Sequence, residues 1–95
     1  MSVRVSLDFL APADLDLETA FDQLSDLLEE FDGKELLDLD AGLSRDMRLI
    51  HISAESSGAD FGSTDLRIRA ALVLLISEVS PKFELVKTSS FLAVA

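Results

Sequence analysis

Apolar residues in this 95-residue chain recur at two different periods, and the order in which the periods alternate restricts the fold more than any other feature. Val3, Val5, Leu7 and Phe9 alternate with Ser2, Arg4, Ser6 and Asp8, the period of two that marks a half-buried strand. Pro12 ends it. Leu17, Ala20, Phe21, Leu24, Leu27, Leu28 and Phe31 then fall three or four apart, which puts one apolar stripe along a helix. Asp16 is the expected N-cap, because its carboxylate can accept from an unpaired amide of the first turn. Leu15 and Ala20 occupy the staple positions around it, and Gly33 supplies a left-handed stop.

The period returns to two at Leu37, Leu39, Ala41 and Leu43, set against Asp38, Asp40 and Gly42. After the polar turn Ser44, Arg45 and Asp46, the residues Arg48, Ile50, Ile52 and Ala54 alternate with Leu49, His51, Ser53 and Glu55. The two runs predict an antiparallel hairpin. A loop over residues 56–63 leads to a second helix that starts near Ser63 or Thr64, with Asp60 as an earlier cap, and ends before Pro81. Its inner stripe is Ile68, Ala71, Leu72, Leu75, Ile76 and Val79. Leu66, Ala70, Val73 and Leu74 make the opposite side apolar as well, and a helix apolar nearly all round is usually covered on two sides. Two-fold pairing of identical chains is the commonest way to cover such a face, so these four residues are the expected seam of a homodimer. Phe83, Leu85 and Lys87 alternate with Glu84 and Val86 in a last strand, which the uncharged tail extends past a bulge or follows with a short edge strand. The order is β-α-β-β-α-β, and the expected fold class is α+β: a ferredoxin-like, four-stranded antiparallel sheet with two helices on one face, in one domain over residues 1–95.

Charge separates the chain into unequal halves. Residues 1–46 carry thirteen acidic and three basic side chains; residues 47–95 carry five of each, so the net charge of −10 lies wholly in the first half. Glu18, Asp22, Asp26, Glu29 and Glu30 project from the outward side of the first helix, and no Lys or Arg occurs between residues 5 and 33. Like charges four apart on a helix repel mildly, so a sequence shaped by stability alone would intersperse lysines. A basic protein partner docked on this helix is one expectation, and simple solubility explains the same charges. Direct nucleic-acid binding and anionic membranes are disfavoured, since both require cations at the surface.

Several chemistries lack their residues. With no cysteine there is no disulfide, thiolate metal site or cysteine nucleophile. The Asp38-Leu-Asp40 spacing is that of a calcium loop, but Leu43 and Leu49 stand where that loop needs Gly and Glu. His51 is the sole histidine, on the strand face opposite Ile50 and Ile52, and cannot build a zinc site alone. Glycines at 33, 42, 58 and 62 form no phosphate loop. Arg67 and Arg69 lie early in the second helix, against its dipole, where a contact, for example with an acidic segment of another subunit, would explain them. No catalytic, cofactor or metal site is expected, nor an enzymatic role. The longest apolar run, Ala70 to Ile76, has seven residues against the roughly 20 of a membrane span, and the first residues do not form a signal peptide, so a cytoplasmic location is expected.

The stretch from Val3 to Phe21, the hairpin from Leu36 to Glu55, and the chain as far as residue 72 resemble small acidic bacterial proteins of unassigned function within the ferredoxin-like superfold. That resemblance implies the fold and no site residues. Other members of the superfold are disfavoured: acylphosphatases require an Asn, which the chain lacks, and metal chaperones require a Cys pair. Three functions remain as expectations: a dimeric module docking a basic partner, a nucleic-acid-mimicking inhibitor, and a small-molecule sensor of the ACT type, or an enzyme without a recognised motif, at a dimer interface.

Overall fold

The structure, a computed structural model, describes residues 1–31 and 36–93. Its elements are β1 (Ser2–Leu10), α1 (Leu17–Phe31), β2 (Leu37–Ser44), β3 (Leu49–Ser57), α2 (Phe61–Val79) and β4 (Glu84–Ala93). The strands form one antiparallel sheet in the order β2-β3-β1-β4, which with the two helices is the ferredoxin-like α+β plan that the alternating periods imply. The expected stop at Gly33 lies outside the described residues.

The core follows the period-two positions. Val3, Val5, Leu7 and Phe9 of β1 are buried, as are Ile50, Ile52 and Ala54 of β3. Leu17, Ala20, Leu24 and Leu28 of α1 and Ile68, Leu72, Leu75 and Ile76 of α2 cover them. Each fully buried aliphatic side chain of this kind is worth about 1.5–3 kcal/mol relative to exposure. Phe9 and Phe83 meet edge to face, with ring centroids 6.5 Å apart.

Caps set where the helices begin. Asp16 Oδ1 accepts from the amides of Glu18 at 3.2 Å and Thr19 at 3.5 Å, so α1 starts where the pattern places it. Asp60 Oδ2 accepts from the Ser63 amide at 2.8 Å and caps α2, which therefore starts at Phe61, two to three residues before the expected Ser63 or Thr64. The bond to Ser63 also holds the Asp60 carboxyl below its ordinary value.

Two irregularities change which side chains reach the core. Asp38 has φ 49°, and the β2–β3 register slips between Leu37 and Asp40. Leu37 consequently stands 45% exposed instead of sharing the inner face with Leu39, Ala41 and Leu43, and Leu36 is buried in its place. In β4 the pairing passes from Lys87 opposite Asp8 to Leu85 opposite Phe9, leaving Val86 as an extra residue. The strand continues past the bulge to Ala93, so the tail as far as Ala93 belongs to β4 and is not a separate element.

Arg48, in the turn between β2 and β3, also has positive φ, 53°. Its guanidinium Nη2 donates to the carbonyls of Pro12 and Leu15, both at 2.8 Å, and its own carbonyl accepts from Ala11 at 2.9 Å. The hairpin turn is thereby tied to the β1–α1 connection. Arg67 and Arg69 are engaged within the chain: Arg67 donates to Ser56 and Ser57, Arg69 to Asp65 and Ser90. The contact expected from their position is intramolecular.

Candidate functional site

A cleft of about 720 Å³ lies beside the two helices. Phe31, the last residue of α1, lines it together with Leu36, which leads into β2. Ala71, Leu74 and Leu75 of α2 complete the apolar walls, and Ser77 and Glu78 from the last turn of that helix supply the polar edge. The helical period places these side chains: Ala71, Leu74, Leu75 and Glu78 lie three or four apart and share the flank of α2 beside its core stripe. Ser77 Oγ donates to the Val73 carbonyl at 2.6 Å, which leaves its oxygen free only to accept. Glu78 makes no ion pair among the described residues.

A second, smaller hollow of about 380 Å³ lies on the opposite, polar face of the sheet, lined by Asp8, Gly42, Leu43, Ser44, Leu49 and His51. The register sets Gly42, His51, Asp8 and Lys87 in one row across the four strands. His51 Nδ1 and Asp8 Oδ1 are 2.6 Å apart, with side chains 45% and 23% exposed. His51 is thus on the face the alternation predicts, but it is held by a carboxylate and not simply solvated. Beyond this pair the face carries Arg4, which bonds Ser53 at 2.9 Å and approaches Glu55 at 3.8 Å. Among the described residues no group of three metal-ligating side chains forms, so Asp38 and Asp40 do not assemble one. No described helix is long and apolar enough to cross a membrane.

The acidic positions on α1 come together as the stripe implies. Glu18, Asp22, Asp26, Glu29 and Glu30 are all exposed. Only Glu18 has an ion-pair partner among the described residues, Arg45 at 2.7 Å on the surface. The apolar positions on α2 divide. Leu66, Ala70 and Val73 are exposed outside the cleft, whereas Leu74 lines it while remaining 67% exposed. Among the described residues no loop buries any of the four. Sequence reasoning did not single out Leu36, Ser77 or Glu78; the one available signal was an α2 too apolar to need only one covered side.

No family profile matches the chain, and no curated protein matches it. Solved structures share its fold. Protein YJCS superposes with a TM-score of 0.71 at 12% identity, over 99% of this chain and 100% of the other. A putative antibiotic biosynthesis monooxygenase from Chloroflexus aurantiacus J-10-fl gives 0.63 at 11% identity, over 100% of this chain and 95% of the other. A protein of the same description from Bordetella bronchiseptica gives 0.57 at 14%, covering 99% and 98%. Identities this low establish the fold alone. They nevertheless correct one expectation, that the chain is not an enzyme: two structures with its fold are described as enzymes. The absence of a familiar motif was no ground for excluding activity, because a fold of this kind hosts sites that no fixed motif marks.

Proposed function

We propose that the chain binds a small apolar molecule in the cleft between α1, β2 and α2. The observation that carries this reading is the cleft itself: about 720 Å³, walled by Phe31, Leu36, Ala71, Leu74 and Leu75, with two polar acceptors at one edge. Small-molecule sites have this size and composition, mostly apolar with a few polar groups that orient the guest. The monooxygenase descriptions of two structural neighbours suggest that the guest is also a substrate, and oxidation of it is the enzymatic form of this proposal. A cytoplasmic location belongs with the same proposal. The test is titration with Nile red, a neutral dye whose emission rises in apolar surroundings. Ala71 is half-buried on the cleft wall, so Ala71→Trp fills the space. Binding should weaken by about tenfold, the loss expected when roughly 1.4 kcal/mol of apolar contact is blocked. Equal affinity in a variant with an unchanged melting temperature would place the dye elsewhere and refute the cleft as the site.

A second reading is favoured by α1. Asp22, Asp26, Glu29 and Glu30 are exposed and make no ion pair among the described residues, which suits docking of a basic protein. Pairing of two copies through Leu66, Ala70 and Val73 would cover the outward side of α2, and the four acids would then lie on a separate surface. Capture of a basic partner from lysate at low salt should be lost when the four acids become Asn or Gln. Competition of DNA for the captured protein would favour nucleic-acid mimicry over docking. Capture that ignores both salt and substitution would sink this reading.

A further inference from the structure

The hollow on the open face of the sheet holds two side chains that the helix cleft does not use. Asp8 of β1 and His51 of β3 are partners in the register, and alternation along both strands turns them away from the helices. His51 Nδ1 and Asp8 Oδ1 stand 2.6 Å apart. An ionised carboxylate can only accept, so the proton in this bond belongs to Nδ1. The neutral ring then carries its lone pair on Nε2. The carboxylate offsets the charge that the ring takes up when Nε2 forms a new bond. The position is also open to a guest. The His51 side chain is 45% exposed, and its register partner on β2 is Gly42, which puts no side chain beside the ring. A β-carbon there would lie 3.9 Å from His51 Cβ, so anything larger would fill this flank. The hollow of about 380 Å³ is completed by Leu43, Ser44 and Leu49.

An imidazole whose tautomer is fixed by a carboxylate, beside a small hollow with apolar walls, is the nucleophile-and-orienter arrangement of acyl transfer. We infer that His51 is a catalytic nucleophile toward small activated esters, with Asp8 as its positioning residue. Nε2 forms a bond to the acyl carbon, and the ester C–O bond breaks with its electron pair on the departing oxygen. Water then adds to the acyl carbon, the C–N bond breaks, and its electron pair returns to Nε2. The products are a carboxylate and the released alkoxide or phenolate, and the protons of the water pass to solvent. Nε2 carries no proton to give in the first step, so the leaving oxygen must depart as an anion. That restricts the substrate class to esters of phenols and other acidic alcohols. The activity is independent of the helix cleft, and neither reading stands or falls with the other.

The probe is 4-nitrophenyl acetate, followed by release of 4-nitrophenolate at neutral pH. The protein should exceed an equal concentration of free imidazole by roughly tenfold, a modest return for holding the ester beside the ring, and the rate should saturate with ester. His51 is the sole histidine of the chain, so His51→Gln should reduce the rate to that of the chain's amines. Asp8→Asn presents an amide that can donate to Nδ1, which favours the tautomer with its proton on Nε2. Its kcat should fall by roughly tenfold with KM little changed, a split that a merely structural carboxylate would not produce. Gly42→Val places a side chain in the hollow and should raise KM with the imidazole still in place. A rate no greater than that of free imidazole overturns the inference, as does hydrolysis retained in His51→Gln. Unchanged kcat in Asp8→Asn overturns the role of Asp8, and unchanged KM in Gly42→Val overturns the hollow as the place of the substrate. Should Gly42→Val fail to fold, the comparison of wild type with free imidazole and His51→Gln decides alone.

Discussion

Leu72→Ala should lower the unfolding free energy by about 2–5 kcal/mol, read as a shift of the urea midpoint at constant slope. Leu72 is fully buried in the middle of the α2 core stripe, between Ile68 and Ile76, in the cluster that includes Val5 and Ile52 of the central strands. Truncation removes the transfer energy of the lost carbons and leaves a void that α2 cannot close, because neighbours on both sides of it along the helix are also fixed against the sheet. A domain of this size has only about 5–15 kcal/mol in total, so the variant loses a large part of its stability. Leu72→Ile conserves volume and should cost less than about 1.5 kcal/mol. If the alanine variant loses under about 1 kcal/mol, the helix–sheet contact is not the core it is described to be.

Arg48→Ala should cost about 2–4 kcal/mol, because each hydrogen bond from a charged donor contributes roughly 1.5–3 kcal/mol and the two are not fully additive. The guanidinium joins the β2–β3 turn to the carbonyls of Pro12 and Leu15, and alanine leaves both half-buried acceptors without it. The backbone gives a second readout. At φ 53° a side chain crowds its own peptide group, at a cost of about 1–2 kcal/mol that glycine does not bear. Arg48→Gly should therefore be less damaging than Arg48→Ala, reversing the usual order. Arg48→Lys cannot place two donors in the arginine's planar fork and should fall between wild type and alanine. Thermal denaturation of the three variants decides the order; a glycine variant less stable than the alanine one would show that the positive φ is not imposed on this residue.

The strand and helix periods were legible in the sequence because burial on one face imposes them. Val3 to Phe9, the α1 stripe from Leu17 to Leu28 and the apolar positions Ile50, Ile52 and Ala54 lie where alternation and the helical repeat put them, whereas Phe31 at the end of the stripe stands 40% exposed and Ser53 is buried. What was not legible depends on local backbone choices that periodicity does not encode. The left-handed Asp38 exchanges Leu37 for Leu36 in the core, and nothing in an alternating Leu-Asp-Leu-Asp run marks that slip. The Asp8–His51 pair exists only through the β1–β3 register, which joins residues far apart in sequence. The cleft was hidden for a third reason. Four of its five described apolar wall residues were already assigned by the stripes, Phe31, Ala71 and Leu75 inward and Leu74 outward, with Leu36 as the fifth. A list of apolar positions records which side chains are buried, and not the gap they enclose.

The place of β1 in the sheet has a consequence for how the chain reaches this state. It is the first of the six elements to be synthesised and an inner strand of the four, with β3 on one side and β4 on the other. Ser2 meets Ser57 on one flank and Ala93 on the other, so one whole ladder of β1 has no partner until the last strand has been made. Closing such long loops before their contacts form slows folding relative to helical domains of equal stability. During that interval Val3, Val5, Leu7 and Phe9 are a bare β-prone segment carrying one arginine and one aspartate among them, the kind of sequence that seeks a strand from another molecule. The nascent chain thus depends on β3 to occupy β1 early, and the hairpin that delivers β3 is the one Arg48 fastens to the end of β1.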